Sequence, residues 1–248
     1  MTKPVRSHNR KGLAIQAVLF VLMSTAGLYG FIHSGFFALT HIEVVGAEQL
    51  KPNEVRKLAA LPIGSNLWRI DEIQVIKNVK AHPKISLVQV ARQLPGTLVI
   101  SIRERKASCL IPTDRGFVEV DSTGVALRIL DQISGSRLPI ITGITVKQHP
   151  LPGERVVAAN LEIGLRMVGY LPQTLIQSIA ELDVSNEESI ILFTTGGIRV
   201  KMGASQLLPE KYQALKDVLS FKDQAGSGRA IDYIDLTFPE RPAVKYAK

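Results

Sequence analysis

The longest uninterrupted apolar run in the chain is Leu13 to Ile32, LAIQAVLFVLMSTAGLYGFI, 20 residues without Lys, Arg, Asp or Glu. At about 1.5 Å per residue, a helix of this length reaches about 30 Å, the hydrocarbon thickness of a bilayer. The polar exceptions, Gln16, Ser24 and Thr25, are uncharged, and a helix satisfies its own backbone hydrogen bonds in lipid. The pattern predicts a transmembrane helix over 13–32.

Beyond the anchor the period changes. HIEVVG alternates Ile42 and Val44 against His41 and Glu43, the period of a half-buried strand. KPNEVRKLAAL places Val55, Leu58 and Ala59 on one face of a short helix, with Pro52 in its first turn and Pro62 beyond its end. A second helix is expected after Asp71, which with Gln74 resembles a capping box, and Ile73, Ile76 and Val79 form its apolar stripe. ISLVQVAR and TLVISIRE then flank Gln93-Leu94-Pro95-Gly96, a hairpin whose second arm turns Leu98, Ile100 and Ile102 to one side. Strand, helix, helix, strand, strand describes a three-stranded sheet covered on one face by two helices.

The second half reads as another mixed unit, so the whole is α+β. GFVEVDSTGVALRIL gives two strands around Ser122-Thr123-Gly124, and RLPIITG a third apolar piece ending at Gly143. Asn160 is placed to cap a helix in which Leu161, Leu165 and Val168 share a face. SIILFTT and IRVKM form a hairpin around Gly196-Gly197, two glycines free to take positive φ, with Ile198, Val200 and Met202 on its dry face. A helix after Pro209 aligns Leu208, Tyr212, Leu215 and Leu219, and Gln224 to Gly228 reads as a connector.

Charge adds direction. Residues 1–12 carry Lys3, Arg6, Arg10 and Lys11 and no acid, whereas the 20 residues after Ile32 hold Glu43, Glu48 and one base, Lys51. The positive-inside rule therefore expects a cytoplasmic tail over 1–12 and residues 33–248 across the membrane. A cleaved signal peptide is the competing expectation, since Leu13 to Met23 is a short apolar core and Ser24-Thr25-Ala26 resembles a cleavage site; it leaves Gly27 to Ile32 unexplained. Net charge is +8, but half of it lies in the first 12 residues. No basic run follows, so nucleic acid is not an expected partner; the tail suits anionic lipid.

Catalytic chemistry is not expected. No serine sits in G-x-S-x-G, no H-E-x-x-H is present, and no phosphate-binding glycine loop follows a strand. Gly226-Ser227-Gly228 follows a helix and lacks the lysine of a phosphate loop. Glu187-Glu188 reads as a solvated edge, while Asp232 and Asp235 fall on opposite faces of one strand and share no pocket. His8, His33, His41, His82 and His149 show no metal-ligand spacing, so no metal, cofactor or small-molecule substrate is expected. Cys109, the sole cysteine, excludes an internal disulfide and reads as a small buried residue. Trp68, the sole tryptophan, is expected between the two helices of the first unit.

IEVVGAEQLKPNEVRKLAALPIGSNLWRID followed by LPGTLVISIRER resembles a POTRA domain, and a POTRA directly after one N-terminal anchor resembles the FtsQ/DivIB cell-division family. Gly46, Gly64-x-Asn66-Leu67 and Leu94-Pro95-Gly96-Thr97 carry the likeness, AIDYIDLTFPERPAVKYAK resembles the family's C-terminal signature, and Ala107 stands where members often carry proline. The resemblance implies a POTRA domain over 38–106 and an FtsQ-type β domain over 107–248 ending in an edge strand. It also implies a non-enzymatic scaffold of the divisome at the septum of the inner membrane, with FtsB- and FtsL-like bitopic proteins as partners.

Pro239 and Pro242 interrupt the chain before a final short strand, and such strands lie at sheet rims where another chain can pair. The residues matching the family's FtsB-docking region are Phe238, Pro239, Glu240, Arg241, Ala243, Val244, Lys245 and Tyr246. Tyr246 is the expected anchor, on the order of 2 kcal/mol as an interface hot spot; the plainer alternative is that it packs on its own domain. Two rival functions remain open: a POTRA-type envelope adaptor that binds polypeptides in secretion or outer-membrane assembly, and a membrane-anchored cell-wall enzyme.

Overall fold

A computed structural model describes residues 10–133, 135–225 and 230–247. The chain divides into two compact units, one of residues 1–81 and 85–104 and a second of residues 82–84 and 105–248.

The first unit begins with helix α1 (Arg10–Ile32), whose side chains are exposed almost all round. Within Gly12–Phe37 an 18-residue window has a mean hydropathy of 1.8 and none of that window is buried, as suits a helix whose solvent is lipid. The tail expected at 1–12 lies mostly outside the described residues. After a single 3-10 turn at Gly35–Phe37 come β1 (His41–Val45), α2 (Pro52–Ala59), α3 (Glu72–Lys80), β2 (Ile85–Gln93) and β3 (Thr97–Glu104). β3 is the central strand, parallel to β1 and antiparallel to β2. Leu98, Ile100 and Ile102 are buried as their alternation predicts, under Val55 and Ala59 of α2 and Val75 and Val79 of α3.

Two expectations for this unit are corrected. The buried stripe of α3 is Val75 and Val79, flanked by Ile76, while Ile73 is 79 % exposed. The cap sets this register: Asp71 accepts the N–H groups of Ile73 and Gln74, so the helix starts at Glu72 and turns Ile73 outward. The capping box stays half closed, because Gln74 reaches forward to Asn78 at 2.7 Å instead of back. Trp68 does not fill the gap between the helices; it is 46 % exposed on a 3-10 turn, Leu67–Arg69, which puts Leu67 in the core instead.

One carboxylate fastens the far end of this sheet. Glu104, at the end of β3, accepts the N–H groups of Glu48, Gln49 and Leu50 at 2.8, 3.1 and 3.0 Å, satisfying three consecutive donors of the loop that leads to α2.

The second unit comprises β4 (Ala107–Thr113), β5 (Gly116–Asp121), β6 (Ala126–Leu130), β7 (Ile140–Thr142), α4 (Leu161–Tyr170), α5 (Gln173–Ile176), β8 (Ile179–Asp183), β9 (Ile190–Thr194), β10 (Arg199–Gly203), α6 (Leu208–Ala225), β11 (Ile231–Asp235) and β12 (Ala243–Tyr246). They build one nine-stranded sheet in the order β12-β11-β10-β9-β8-β7-β4-β5-β6. Neighbours are mostly antiparallel, with parallel joins at β4/β7, β7/β8 and β10/β11. Its core draws Ile111, Val118, Ile141, Leu182, Leu192, Val200 and Ile234 from the strands and Met167, Tyr212 and Leu215 from α4 and α6. The Tyr212 hydroxyl ties those helices together by donating to the Met167 carbonyl at 3.0 Å. Cys109 is buried, and burial pushes its thiol up to about 12, so it serves as apolar filling.

Further differences from the sequence reading are local. Asn160 stands at the N-cap of α4 with φ 61°, but its side chain donates to the Val184 carbonyl and caps nothing. Of the two hairpin glycines only Gly197 takes positive φ. α6 starts at Leu208 and runs through Gln224 and Ala225, with Pro209 in its first turn; the rest of the expected connector lies outside the described residues.

A candidate partner-docking edge

The nine-stranded sheet has two rims, and β12 is one of them. β11 ends at Asp235, whose Oδ1 accepts the Thr237 hydroxyl and N–H at 2.7 and 3.0 Å. The Leu236 N–H donates to the Lys201 carbonyl at 2.8 Å and its side chain is buried, which fixes where the chain leaves the sheet. Arg241 N–H then closes a turn on the Phe238 carbonyl at 3.1 Å. Pro242, which cannot donate to a ladder, precedes β12. The returning strand pairs Ala243 with Asp235, Val244 with Ile234 and Lys245 with Tyr233.

This hairpin brings all eight sequence-predicted residues onto one arm at the rim. Val244 is half-buried against the core, whereas Ala243, Lys245 and Tyr246 are exposed. Tyr246 is 48 % exposed and Phe238 73 %, so neither ring is used up by packing on its own unit. Pro239 lines a groove of ≈ 450 Å³ with Pro209, Glu210, Gln213, Ala214 and Asp217 of α6. Among the described residues no strand pairs with the outer side of β12.

A charged ladder that the sequence reading missed runs across β10, β11 and β12. The Tyr233 ring lies between two ammonium groups, Lys201 at 5.2 Å and Lys245 at 5.5 Å from its centroid. Lys245 also meets Asp232 at 3.0 Å, and Lys201 meets Asp235 at 3.9 Å. The signal was present in the alternation of Ile231, Asp232 and Tyr233, but a ladder across three strands needs the register to be known. Hydrogen bonding to Asp232 raises the Lys245 ammonium above its ordinary value. Burial pushes the Asp235 carboxyl up, but the two Thr237 hydrogen bonds and the Lys201 charge outweigh it and leave the group below its ordinary value. Each carboxylate thus has its own lysine, and the two do not form an acid–base pair. No group of three or more histidine, cysteine or carboxylate side chains suited to a metal occurs among the described residues.

Comparison with known proteins agrees with this architecture. Residues 37–105 match the family model for the POTRA domain, FtsQ-type, and residues 109–237 that for Cell division protein FtsQ/DivIB, C-terminal. Similar proteins include Cell division protein FtsQ of Streptomyces venezuelae, 25 % identical over 90 % of this chain and 80 % of the relative. FtsQ of Geobacter sp. is 28 % identical over 84 % of this chain and 75 % of the relative, and Cell division protein DivIB of Clostridium botulinum 21 % over 94 % and 91 %. With both domain types matched in order behind one apolar helix, the chain belongs to the FtsQ/DivIB family of cell division proteins.

Proposed function

We infer that the chain is a non-enzymatic, single-span scaffold of the division machinery. Its tail is cytoplasmic, its two units lie on the outer side of the inner membrane at the septum, and the open side of β12 captures FtsB- and FtsL-like bitopic partners by strand addition. The observation that carries this reading is a rim strand whose outer side pairs with no strand among the described residues, framed by the exposed rings of Phe238 and Tyr246. Edge backbone supplies affinity through main-chain hydrogen bonds, and flanking aromatics supply specificity.

The reading is tested with the full-length chain in membranes and a chain lacking residues 239–248. Deletion removes an exposed terminal arm and leaves the buried strands in place, so the melting temperature should change little while capture of an FtsB-like partner is lost. Unchanged affinity in the deletion would falsify the assignment.

A further inference from the structure

Three segments of the first unit converge where α1 stops. Asn66 donates from Nδ2 to the carbonyls of Ile32 at 2.9 Å and Ser34 at 3.2 Å. The Leu39 N–H donates to Ser65 at 2.7 Å and the Gly64 N–H to Leu39 at 2.8 Å, binding the α2–α3 loop to the exit segment. The Thr40 and His41 N–H groups both reach the Gly96 carbonyl, at 2.7 and 3.2 Å, which brings in the β2–β3 turn. The exit segment, the loop and the turn therefore form one end of the unit.

Each of the three presents a large apolar side chain outward. Phe36 is 60 % exposed, Ile63 64 %, Trp68 46 % and Leu94 52 %. The opposite end is different in kind, a polar loop gathered on Glu104. Trp68 is also held firmly. Its backbone N–H donates to Asn66 Oδ1 at 3.0 Å, its ring meets Phe37 edge-on at 6.1 Å, and the Arg92 guanidinium lies 5.9 Å from its centroid. Arg92 is itself fixed by donating to the Leu67 and Ile70 carbonyls.

Ile32 is the last residue of α1, so with α1 crossing the bilayer outward, the proposed topology on which this inference rests, its carbonyl lies at the outer end of the span. A side chain bonded to that carbonyl belongs to the headgroup layer, the depth at which indole rings and cationic groups are favoured. The geometry points to this end of the unit as a lipid-docking surface: Phe36, Ile63, Trp68 and Leu94 enter the outer headgroup layer of the bilayer that α1 crosses. The occupant is the phospholipid interface because the spanning helix emerges from the patch itself, and lipid covers whatever surrounds that point.

Trp68 is the chain's sole tryptophan, so its emission reports this site in the unaltered full-length protein. The protein is reconstituted into phosphatidylethanolamine–phosphatidylglycerol vesicles carrying a quencher either at headgroup depth or near the bilayer centre. The shallow quencher should lower the emission roughly twofold more than the deep one. Equal emission with both, or stronger quenching from the bilayer centre, overturns the proposal. A chain carrying Ile63→Ser and Leu94→Ser, both exposed and so expected to leave the circular dichroism unchanged, should show weaker shallow quenching; undiminished quenching in a folded double variant also overturns it.

Discussion

The two rims of the nine-stranded sheet are treated in opposite ways. At the β6 rim, residues 153–156 lie along the strand start as a strap: the Ala126 N–H reaches the Glu154 carbonyl at 2.8 Å, the Gly153 N–H reaches Ala126 at 2.7 Å, and the Val156 N–H reaches Gly124 at 2.8 Å. An isolated bridge between Val125 and Arg155 adds to the strap, which reaches Ala126, the first residue of β6. At the β12 rim no such strap occurs among the described residues, and the edge is guarded only by its four-residue length, by Pro242 and by Lys245. A sheet of this breadth exposes two templates for unwanted pairing. Backbone covers the start of one rim, and among the described residues no such backbone cover occurs at the other, the rim to which the proposed function assigns the partner.

The contrast can be broken most strongly at the open rim. Tyr246→Ala should weaken partner binding by about 2 kcal/mol, roughly thirtyfold. Titration calorimetry measures this, and the melting temperature should stay nearly constant because the ring is about half exposed. Loss of stability on the same scale as loss of affinity would return Tyr246 to a packing role.

At the strapped rim, Gly124 holds φ +82° with the Leu165 side chain 3.3 Å from where a Cβ would sit. Gly124→Val should cost about 1–2 kcal/mol of stability through backbone strain. By loosening the strap it should also give concentration-dependent self-association, seen by sedimentation. A variant that is destabilised yet stays monomeric would show that the strap is not what protects this edge.

A smaller effect is expected at Asp121, which pins the turn into β6. Its Oδ1 accepts the Thr123 N–H and hydroxyl and the Val125 N–H, and its Oδ2 accepts the Arg105 guanidinium at 2.7 Å. Burial pushes this carboxyl up, but the four hydrogen bonds outweigh it and hold it below its ordinary 3.8. The unfolded chain therefore takes up the proton first. The stabilisation is complete above that value and is lost as pH falls through the lower, folded one. Asp121→Asn should cost about 1 kcal/mol at neutral pH and flatten the acid limb of stability against pH in chemical denaturation.

The smallest effect is expected of Lys245→Ala. An exposed pair with Asp232 contributes little to the fold, and its loss should alter the association rate with a partner in low salt and vanish in high salt. A salt-independent change would contradict a steering role.

Much of this was legible because alternation is a local signal. Leu98, Ile100 and Ile102, and Val200 and Met202, are buried as their spacing requires. The position of β12 at a rim follows from the prolines around it, since Pro239 and Pro242 could not sit in a central strand. What escaped the sequence depends on partners far along the chain. β8 carries Glu181 and Asp183 and does not read as a strand, yet it is held between β7 and β9. The strap at 153–156 has no periodicity, because it uses backbone groups that any residue supplies. Ile73 and Val75 are equally apolar, and only the Asp71 cap decides which of them faces inward.

The parallel pairing of β1 with β3 bears on how the molecule carries load. After α1 the chain enters the three-stranded sheet at the start of β1 and leaves it at the end of β3, and the two strands run in the same direction over five paired residues, His41 with Thr97 through Val45 with Ser101. Tension between the anchor and the second unit therefore pulls neighbouring strands from opposite ends. Every rung of that ladder is loaded together in shear, and none can be peeled off first. A ladder loaded this way gives as a unit, not rung by rung.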